Sequence, residues 1–513
     1  MPYAMNENDD VRLVEGRWRV TSRVTSRMRR NRGGAALALC LALALPLGGC
    51  LVGPNFNRPA PPDVAAYLPA ESPAQPESGA DAGQHIALGE RIPAQWWELF
   101  HNSRLDETLR QVIAASYALA AAKATLAQAQ EAIVEARAAL YPQIDLGASA
   151  RRSSAPAGLG ATGRLLSVGP TVSYSIDAFG GTRRHIEQET ALAENQRYQL
   201  AAAYLTLTGN SVTQAITIAS TNFQIATVQD LINNDQKNLD LVQGEFDAGK
   251  VARSDVLTAE AQLAADRTQL APLRQQLSVA RHALAVLASQ APGRWAPPDF
   301  AIDEFALPDN VPVSLPSELV HQRPDILASE ALLHADSAAI GVATAQLYPS
   351  ITLSASLSQE AQSLATLVRS ASRAWDAGAS LDAPLYRGGA LRAQQRAAID
   401  AYDAQLATYR QTILLAFGQV ADVLSALEHD AELVSASRRS VDIAGASLAL
   451  QRSSYAAGKT SALQLIVAEN TYSSARLGYV RAIGQRLSDT AQLFIALGGG
   501  WWNGGDPAPA SGR

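Results

Sequence analysis

The sequence contains one long pattern twice, and this duplication restricts the possible folds more than any other feature. Each copy consists of a Tyr-Pro pair, two alternating strands, a Gly-Gly pair, a long helical stretch and an Ala-Gly-Lys turn. Corresponding residues lie 207 to 209 positions apart: Tyr141 and Tyr348, Gly180 and Gly388, Gly249 and Gly458. A repeat this long and regular predicts two copies of one structural unit.

The helical stretches of both copies are too long for an ordinary compact domain. Residues 182–245 and 390–455 contain no proline, and apolar residues recur in them every seven positions. At about 1.5 Å per residue, a helix of about 64 residues is about 100 Å long. The heptad spacing predicts coiled-coil packing against neighbouring helices. Return helices are expected over 254–289, with a kink at Pro272, and over 460–497.

Each copy also predicts a β-hairpin that has one apolar and one polar face. Over residues 143–178, apolar side chains alternate with Ser, Thr, Gly and Asp, and residues 350–386 repeat the alternation. Successive side chains of a strand point to opposite faces, so the apolar face lies either on a soluble core or on lipid. The alternation alone favours a soluble core, because it is weak evidence for a membrane barrel.

The rest of the chain favours lipid instead, and a lipid-facing sheet requires several copies. One chain supplies four strands, whereas a closed transmembrane barrel needs at least eight, because unpaired backbone groups cannot face lipid. Two copies give eight strands, whose interior is filled by side chains, and three give twelve, which leave a lumen. The polar hairpin faces suit a water-filled lumen, and the Gly-Gly pairs let the backbone turn from strand to helix.

Composition argues against several other classes of protein. Of the 513 residues, 47% are apolar and 18% are charged, which excludes a disordered chain. The formal net charge of −6, with no basic tract after the amino-terminal region, argues against nucleic-acid binding. Because Cys40 and Cys50 both lie near the amino terminus, no thiol pair remains for a disulfide or a thiolate metal site. The histidines lack ligand spacing, and no nucleophile or paired carboxylates stand out, so we expect no enzyme activity, cofactor or metal.

The amino terminus has the pattern of an export signal. Basic residues follow Met28, the preferred start, an apolar run covers residues 35–47, and a Leu-Gly-Gly-Cys sequence ends at Cys50. This ending resembles the bacterial lipoprotein box, in which the signal is cut before a cysteine that becomes lipidated. The resemblance implies S-diacylglycerol and N-palmitoyl groups on Cys50; the alternative is an ordinary cleavage site with a chance cysteine. Leu51, in place of an aspartate, favours the outer membrane.

The sequence therefore predicts five regions along the chain. They are a signal region over 1–49, a lipidated proline-rich tether over 50–92, the first repeat over 93–300, the second repeat over 301–502 and a flexible carboxyl terminus over 503–513. Each repeat is expected to begin with a helix that ends at the Tyr-Pro pair, over 103–140 in the first and 317–347 in the second.

Short motifs spread over almost the whole mature chain point to one family. They are Cys50-Leu51-Val52-Gly53-Pro54-Asn55-Phe56, Trp96-Trp97-Glu98-Leu99-Phe100, Tyr174-Ser175-Ile176-Asp177-Ala178-Phe179-Gly180, Arg323-Pro324-Asp325-Ile326 and Ala496-Leu497-Gly498-Gly499-Gly500-Trp501-Trp502. Together they resemble the TolC-like outer-membrane efflux factors of the OprM/NodT-type lipoprotein branch. The resemblance implies a mainly α fold with a transmembrane β element, in which a homotrimer forms a 12-stranded β-barrel and a 12-helix periplasmic α-barrel.

The same resemblance implies a function and a set of partners. The function is that of the outer-membrane duct of a tripartite efflux pump, through which small molecules pass passively from the periplasm to the exterior. The implied partners are a periplasmic adaptor (membrane fusion protein), an inner-membrane transporter of the resistance-nodulation-division type and outer-membrane lipid. The competing hypothesis is a lipid-anchored periplasmic coiled-coil scaffold without a pore. The amphipathic hairpins favour the duct.

The resemblance also implies that the helix–turn–helix tips, here near Gly249 and Gly458, form a closed periplasmic end. Relatives often carry acidic residues near the second tip, whereas Gln464 occupies that position here and Lys459 lies in the turn. We therefore take Tyr455, Lys459 and Gln464 as gate residues. The alternative is that they are ordinary surface or turn residues.

Overall fold

The computed structural model describes most of the mature chain, and every structural statement below concerns these residues: 51–62, 64, 66–68, 84–90, 92–153 and 163–503. The chain divides into two units, Met1–Gly48 and Gly49–Arg513, and all the described residues belong to the second. The predictions made for residues 1–49, for Cys50 and for residues 504–513 lie outside the described residues.

The two repeats share one overall order of a helical segment, two strands, a long helix and a return, but a short helix lies between the strands of the second repeat alone and the return helix is divided in the first alone. A short strand, β1 (His85–Leu88), precedes the first repeat, which contains α1 (Ser103–Ala115), α2 (Tyr117–Ala138), β2 (Gln143–Ser153), β3 (Gly163–Ile176), α3 (Gly181–Asp247), α4 (Arg253–Thr268) and α5 (Leu270–Leu287). The second contains β4 (Asn310–Val313), α6 (Pro316–Leu319), α7 (Pro324–Ala345), β5 (Ser350–Ala361), α8 (Leu364–Leu367), β6 (Arg373–Asp382), α9 (Ala390–Ala456) and α10 (Ala462–Ala496).

The two longest helices, α3 and α9, contain 67 residues each. At about 1.5 Å per residue, each is about 100 Å long. Both begin after a glycine with positive φ, at 78° for Gly180 and 85° for Gly389, a conformation that glycine adopts without steric cost. Helix α3 packs along α4 and α5, helix α9 packs along α10, and α10 also packs along α3. The duplicated sequence thus forms two long helical hairpins that lie side by side.

Two stretches that the sequence predicts as continuous helices are divided in the structure. The helix expected over 103–140 breaks at Ser116, whose Oγ caps the amino terminus of α2. The return helix expected over 254–289 breaks at Gln269, between α4 and α5. This break lies three residues before Pro272 because proline has no N–H and its ring crowds the carbonyl group four positions earlier.

A four-stranded antiparallel sheet joins the two repeats. The strand order is β2-β3-β5-β6, so β3 of the first repeat pairs directly with β5 of the second. Strands β2 and β6 are the edges of this sheet and are each paired on one side. At Gly169 in β3, an added Cβ would lie 2.1 Å from the carbonyl oxygen of Leu357 in β5. The central strand pair therefore requires a glycine at this position.

Buried aromatic side chains form the core at the end of the second hairpin. Trp96, Trp97 and Phe100 are buried, and the ring centroids of Trp96 and Phe494 are 5.6 Å apart. The chain after α10 turns back against Trp96 through Gly498–Gly500, whose φ angles are +93°, +67° and +67°. Only glycine adopts three such angles in succession at low cost. The aromatic and glycine motifs of the sequence therefore belong to the packed core.

Helix α7 is the described helix that is long and apolar enough to cross a membrane by itself; the bent pair α1 and α2 passes the same test together. Of the apolar window of α7, 67% is buried inside the protein. Helix α7 packs against α3 and α9. We therefore interpret it as a core helix that holds the two long helices together.

Candidate functional site

The four-stranded sheet has one apolar and one polar face across its whole width. Directly opposed residues of antiparallel strands share a face. Val172 pairs with Ile144 of β2 and with Ala355 of β5, which carries the apolar face from the first hairpin to the second. The opposite face pairs small polar residues: Thr171 with Ser356, Ser173 with Ser354, and Thr352 with Ser380. The register thus continues the predicted faces through all four strands.

Most of the apolar face of the sheet is not covered by the rest of the described chain, although Leu166 and Ala361 on this face are buried. Ile144 is 70% exposed, Leu146 78% and Leu381 66%. Apolar side chains on a soluble core are buried, so these exposures exclude that interpretation for a single chain. A contiguous exposed apolar surface of this kind marks contact with a membrane or with another protein.

Aromatic residues lie at the end of the sheet that faces the helices. Tyr141 and Tyr348 precede β2 and β5, and Phe179 and Tyr386 follow β3 and β6. The rings of Phe179 and Tyr348 stack with their centroids 4.7 Å apart, and Tyr141 and Tyr386 are exposed. Rows of aromatic residues at the ends of strands are typical of the boundary between lipid and water.

The segment over residues 51–58 is packed at the same end of the sheet. Arg184, in the first turn of α3, is 1% exposed and donates hydrogen bonds to the carbonyl oxygens of Val52 and Gly53, at 3.0 and 3.2 Å. An added Cβ at Gly53 would lie 2.4 Å from the Cα atom of Gly341 in α7. The prediction of an extended tether over 50–92 is therefore wrong for this first part, because the segment is fixed between α3 and α7, and also for His85–Leu88, which pair as β1 with β4.

The tips of the two long hairpins have the same backbone structure. Gly249 and Gly458 have φ angles of 70° and 69°. The backbone N–H of Lys250 donates to the carbonyl oxygen of Glu245 at 2.9 Å. In the second hairpin the backbone N–H of Lys459 donates to the carbonyl oxygen of Ser454 at 2.9 Å. This is the Schellman arrangement, in which a left-handed residue ends a helix and satisfies its last carbonyl groups.

A side-chain hydrogen bond joins the two hairpins near their tips. The hydroxyl group of Tyr455 in α9 donates to Oε1 of Glu245 in α3 at 2.8 Å. Burial, the hydrogen bond and the negative charge of Glu245 raise the pKa of Tyr455 to about 12, so the phenol stays protonated and can donate at neutral pH. Sequence analysis identified Tyr455 but missed Glu245, because the two residues belong to different repeats and no local pattern connects them.

The other two residues assigned to the gate from sequence lie in the turn beside Tyr455. The Lys459 side chain is exposed. The amide Oε1 of Gln464 accepts a hydrogen bond from Oγ1 of Thr460, and the backbone N–H of Gln464 donates to Oγ of Ser461, which caps α10. These contacts stay within one turn, and a role of Lys459 and Gln464 in gating stays a prediction.

Two pairs of carboxyl groups, each with at least one buried member, were missed by sequence analysis, which noted no paired carboxylates. Asp235 of α3 faces Asp266 of α4, and Asp430 of α9 faces Asp489 of α10. The members of each pair are 31 and 59 residues apart in sequence. Only the packing of each long helix against its return helix brings them together.

Comparison with known proteins identifies the family. The model of the outer membrane efflux protein family matches residues 108–290 and 315–499, with one match in each repeat. The chain belongs to the outer membrane efflux protein family. The resemblance drawn from the sequence motifs is therefore confirmed.

Relatives of this outer membrane efflux protein match it over nearly their whole length. Pyoverdine export outer membrane protein OpmQ of Pseudomonas aeruginosa is 30% identical over 464 residues, which are 88% of this chain and 95% of that relative. Nodulation protein T of Rhizobium leguminosarum bv. trifolii is 28% identical over 473 residues, covering 89% and 96%. The solved structure of the outer-membrane channel OprN has a TM-score of 0.80 and 28% identity, and the match covers 88% of this chain and 100% of that one.

The geometry and the comparisons agree on the function. This outer membrane efflux protein is the outer-membrane channel of an efflux pump, and its long helices form the periplasmic tunnel. The alternative of a scaffold without a pore is not favoured by the relatives.

Proposed function

We propose that three copies of this chain form one channel, a 12-stranded β-barrel continued by a 12-helix periplasmic α-barrel. The observation that supports this most is the sheet itself, which has an uncovered apolar face and two edges paired on one side. In lipid an open edge leaves backbone groups unsatisfied, so the edges must pair with other edges. Three four-stranded sheets joined β2 to β6 in a ring give twelve strands and leave a lumen.

The proposal is tested by the mass and the conductance of the purified mature protein. Native mass spectrometry should show three chains per particle, and planar bilayers containing the protein should conduct ions once the periplasmic end is opened. A folded monomer would contradict the trimer. A trimer that never conducts would instead favour the lipid-anchored scaffold.

We propose that Cys50 carries the S-diacylglycerol and N-palmitoyl groups. Support comes from Leu51, the next residue, which packs closely against the junction of β3 and α3. An added Cβ at Gly180 in this junction would lie only 2.5 Å from Cδ1 of Leu51. The chain after Cys50 is thus fixed at the aromatic end of the sheet, where a lipid chain reaches the membrane directly. Mass spectrometry of the mature amino-terminal peptide should show the added lipid mass, and the Cys50→Ser variant should lack it.

We propose that the Tyr455–Glu245 hydrogen bond is part of the periplasmic gate. It joins α9 to α3 within one turn of the tips, and it must break if the hairpins separate there. Lys459 and Gln464 are proposed as secondary gate residues, because they belong to the same turn. Opening is then a rearrangement of helices, and passage of small molecules is passive, without a catalytic step.

We propose that a periplasmic adaptor and an inner-membrane transporter of the resistance-nodulation-division type complete the pump. Support comes from the family, because the similar protein OpmQ of Pseudomonas aeruginosa is a pyoverdine export outer membrane protein. The choice of cargo is then made by the transporter, and the channel accepts what the transporter delivers. Crosslinking in living cells followed by purification of the channel should recover an adaptor and a transporter; recovery of neither would contradict the proposal.

A further inference from the structure

A buried carboxyl group in the first hairpin has no hydrogen-bond partner when it is ionised. Asp235 in α3 is 2% exposed, and neither of its oxygens accepts a hydrogen bond. The carboxyl group of Asp266 in α4 lies within hydrogen-bonding reach of it. Two ionised carboxylates at this separation repel each other and cannot form a bond. One proton shared between them removes the repulsion and supplies the missing hydrogen bond.

Asp266 is arranged to be the ionised member of this pair. Its two oxygens accept hydrogen bonds from the side-chain amides of Gln262 and Gln269, at 2.7 and 2.6 Å. Hydrogen bonds to a carboxylate stabilise its charged form. Asp235 lacks such donors, so it holds the proton and donates it to Asp266. Burial, followed by Asp266 and by Glu469 of α10, raises the pKa of Asp235 from 3.8 to about 7.

The cations near the pair are engaged with other groups. Arg452 of α9 pairs with Glu469 at 3.0 Å, and Glu469 also accepts a hydrogen bond from Asn238. The other charged groups near this level of α3, α4 and α10 have partners or are exposed. Arg267 bonds to Gln236, Arg476 pairs with Asp230, Asp240 accepts from Gln236, and Lys237 is exposed. Among the described residues of this region, no cation forms an ion pair with Asp235.

The second hairpin has its own carboxyl pair, at a different position along its helices. Asp430 in α9 is 7% exposed, its Oδ2 has no hydrogen-bond partner, and Asp489 in α10 lies within reach. Asp489 accepts a hydrogen bond from Gln485 at 2.9 Å. Burial and Asp489 raise the pKa of Asp430 to about 7, against a smaller opposite effect of Arg486 and His429.

The two pairs are not copies of each other. With the offset of 209 residues that relates Gly249 to Gly458, the first pair corresponds to Ala444 and Ala475, and the second to Thr221 and Ala280. The two pairs therefore occupy different positions along their hairpins.

We propose that each long hairpin contains a buried proton-binding site, Asp235–Asp266 in the first and Asp430–Asp489 in the second, and that its proton holds the two helices together. Loss of the proton leaves two like charges facing each other across the hairpin, and the helices separate locally. The first site lies 12 residues before the end of α3, or about 18 Å from the tip.

A metal ion fits these sites less well than a proton. Calcium takes six to eight oxygen ligands. Among the described residues, no group of three or more His, Cys, Asp or Glu is placed to hold a metal ion. A single proton joins the two carboxyl groups of each pair without further ligands.

The sign of the pH dependence follows from the two states of Asp235. Its pKa is about 7 in the folded protein and 3.8 as the reference for the unfolded chain, so the folded state binds the proton more tightly. The stabilisation is complete below pH 3.8 and is lost as pH rises through about 7. Between pH 6 and pH 8 the protonated fraction falls from about nine-tenths to about one-tenth.

Infrared difference spectroscopy and hydrogen exchange on the purified mature protein test the proposal. Between pH 6 and pH 8 the carbonyl band of protonated carboxyl groups should decrease by about two groups per chain, and Asp235→Asn should halve the decrease. Amides of α3 and α4 around Asp235 and Asp266 should open about tenfold more often at pH 8 than at pH 6, after correction for the intrinsic pH dependence. Asp235→Asn should abolish this difference, because its amide donates to Asp266 at both pH values.

Matched variants separate this proposal from its alternatives. Glu260→Gln, which changes an exposed carboxyl of the same helix as Asp266, should leave both signals unchanged, and Asp430→Asn should act on the second hairpin alone. An infrared change that is the same in wild type and Asp235→Asn would overturn the proposal, as would protection of wild type alone by added calcium at pH 8. The wild-type spectrum needs no variant to fold, and neither readout needs conductance, so failure here is distinct from failure of the channel.

Discussion

Arg323 shows how a residue of a family motif can serve the fold rather than the gate. It is 8% exposed, and its guanidinium group donates to the carbonyl oxygen of Ala496 at 2.8 Å and to Oε1 of Gln419 at 2.9 Å. It also binds both carboxylate oxygens of Asp325, at 3.0 and 2.7 Å. One side chain thus ties the start of α7 to the end of α10 and to α9.

Replacement of Arg323 by lysine should therefore destabilise the protein. Lysine keeps the charge but cannot supply several donors in a planar fork, so at least one buried acceptor loses its partner, at a cost of about 1–3 kcal/mol. The thermal unfolding midpoint of Arg323→Lys should fall. Arg110→Lys is the control, because Arg110 is 69% exposed and lies 3.9 Å from Glu98. Equal midpoints for the two variants would contradict the assigned role.

Removal of the Tyr455 hydroxyl group should favour the open state of the channel. Tyr455→Phe keeps the ring and loses the bond to Glu245, which as a bond to a charged acceptor contributes about 1.5–3 kcal/mol. Each 1.4 kcal/mol is a factor of about ten in an equilibrium constant. The open probability in planar bilayers should accordingly rise by at least about tenfold.

Two control variants test whether the rise in open probability comes from loss of the Tyr455–Glu245 hydrogen bond. Lys459→Ala, in the exposed turn, should raise the open probability less, and Glu245→Gln should fall between wild type and Tyr455→Phe, because its amide oxygen still accepts. An open probability in Tyr455→Phe equal to that of wild type would show that the gate lies elsewhere.

At the scale of elements, the sheet connects two hairpins that the sequence presents as separate. Alternation predicted both faces of each hairpin, and the register confirms them, because the side-chain period of a strand is fixed by its backbone. Alternation did not predict that β3 pairs with β5, since pairing depends on the positions of both repeats in three dimensions. For the same reason the tip glycines were predictable from local sequence, whereas Glu245 and the pair Asp235–Asp266 were not.

The contact between β3 and β5 can be tested with two glycines that face each other in one hairpin. Gly147 and Gly169 are register partners, but an added Cβ meets nothing within 4 Å at Gly147 and meets the backbone of Leu357 at Gly169. Gly169→Ala should therefore separate β3 from β5 and reduce the amount of assembled protein in the outer membrane. Gly147→Ala should assemble normally; similar yields for both variants would show that the strands shift easily.

At the scale of the whole molecule, the two faces of the sheet should differ in how well they tolerate an introduced charged side chain. Leu357 lies on the apolar face and is 49% exposed, while its neighbour Ser356 lies on the polar face opposite Asp376. Leu357→Arg should reduce membrane-inserted trimer, because an arginine on the lipid face costs about 2–4 kcal/mol near the bilayer midplane. Ser356→Arg should insert normally and change the conductance. Equal insertion of both variants would contradict a lipid-facing sheet.

The pairing of β3 with β5 also has a consequence for how the protein is made. The two strands are separated by the whole of the first helical hairpin, and contacts this distant in sequence form slowly. While the chain emerges into the periplasm, the first pair of strands is complete long before its partner has been secreted. During that interval its apolar surface is exposed to water, so biogenesis of this protein calls for a chaperone that shields the early strands until the later ones arrive.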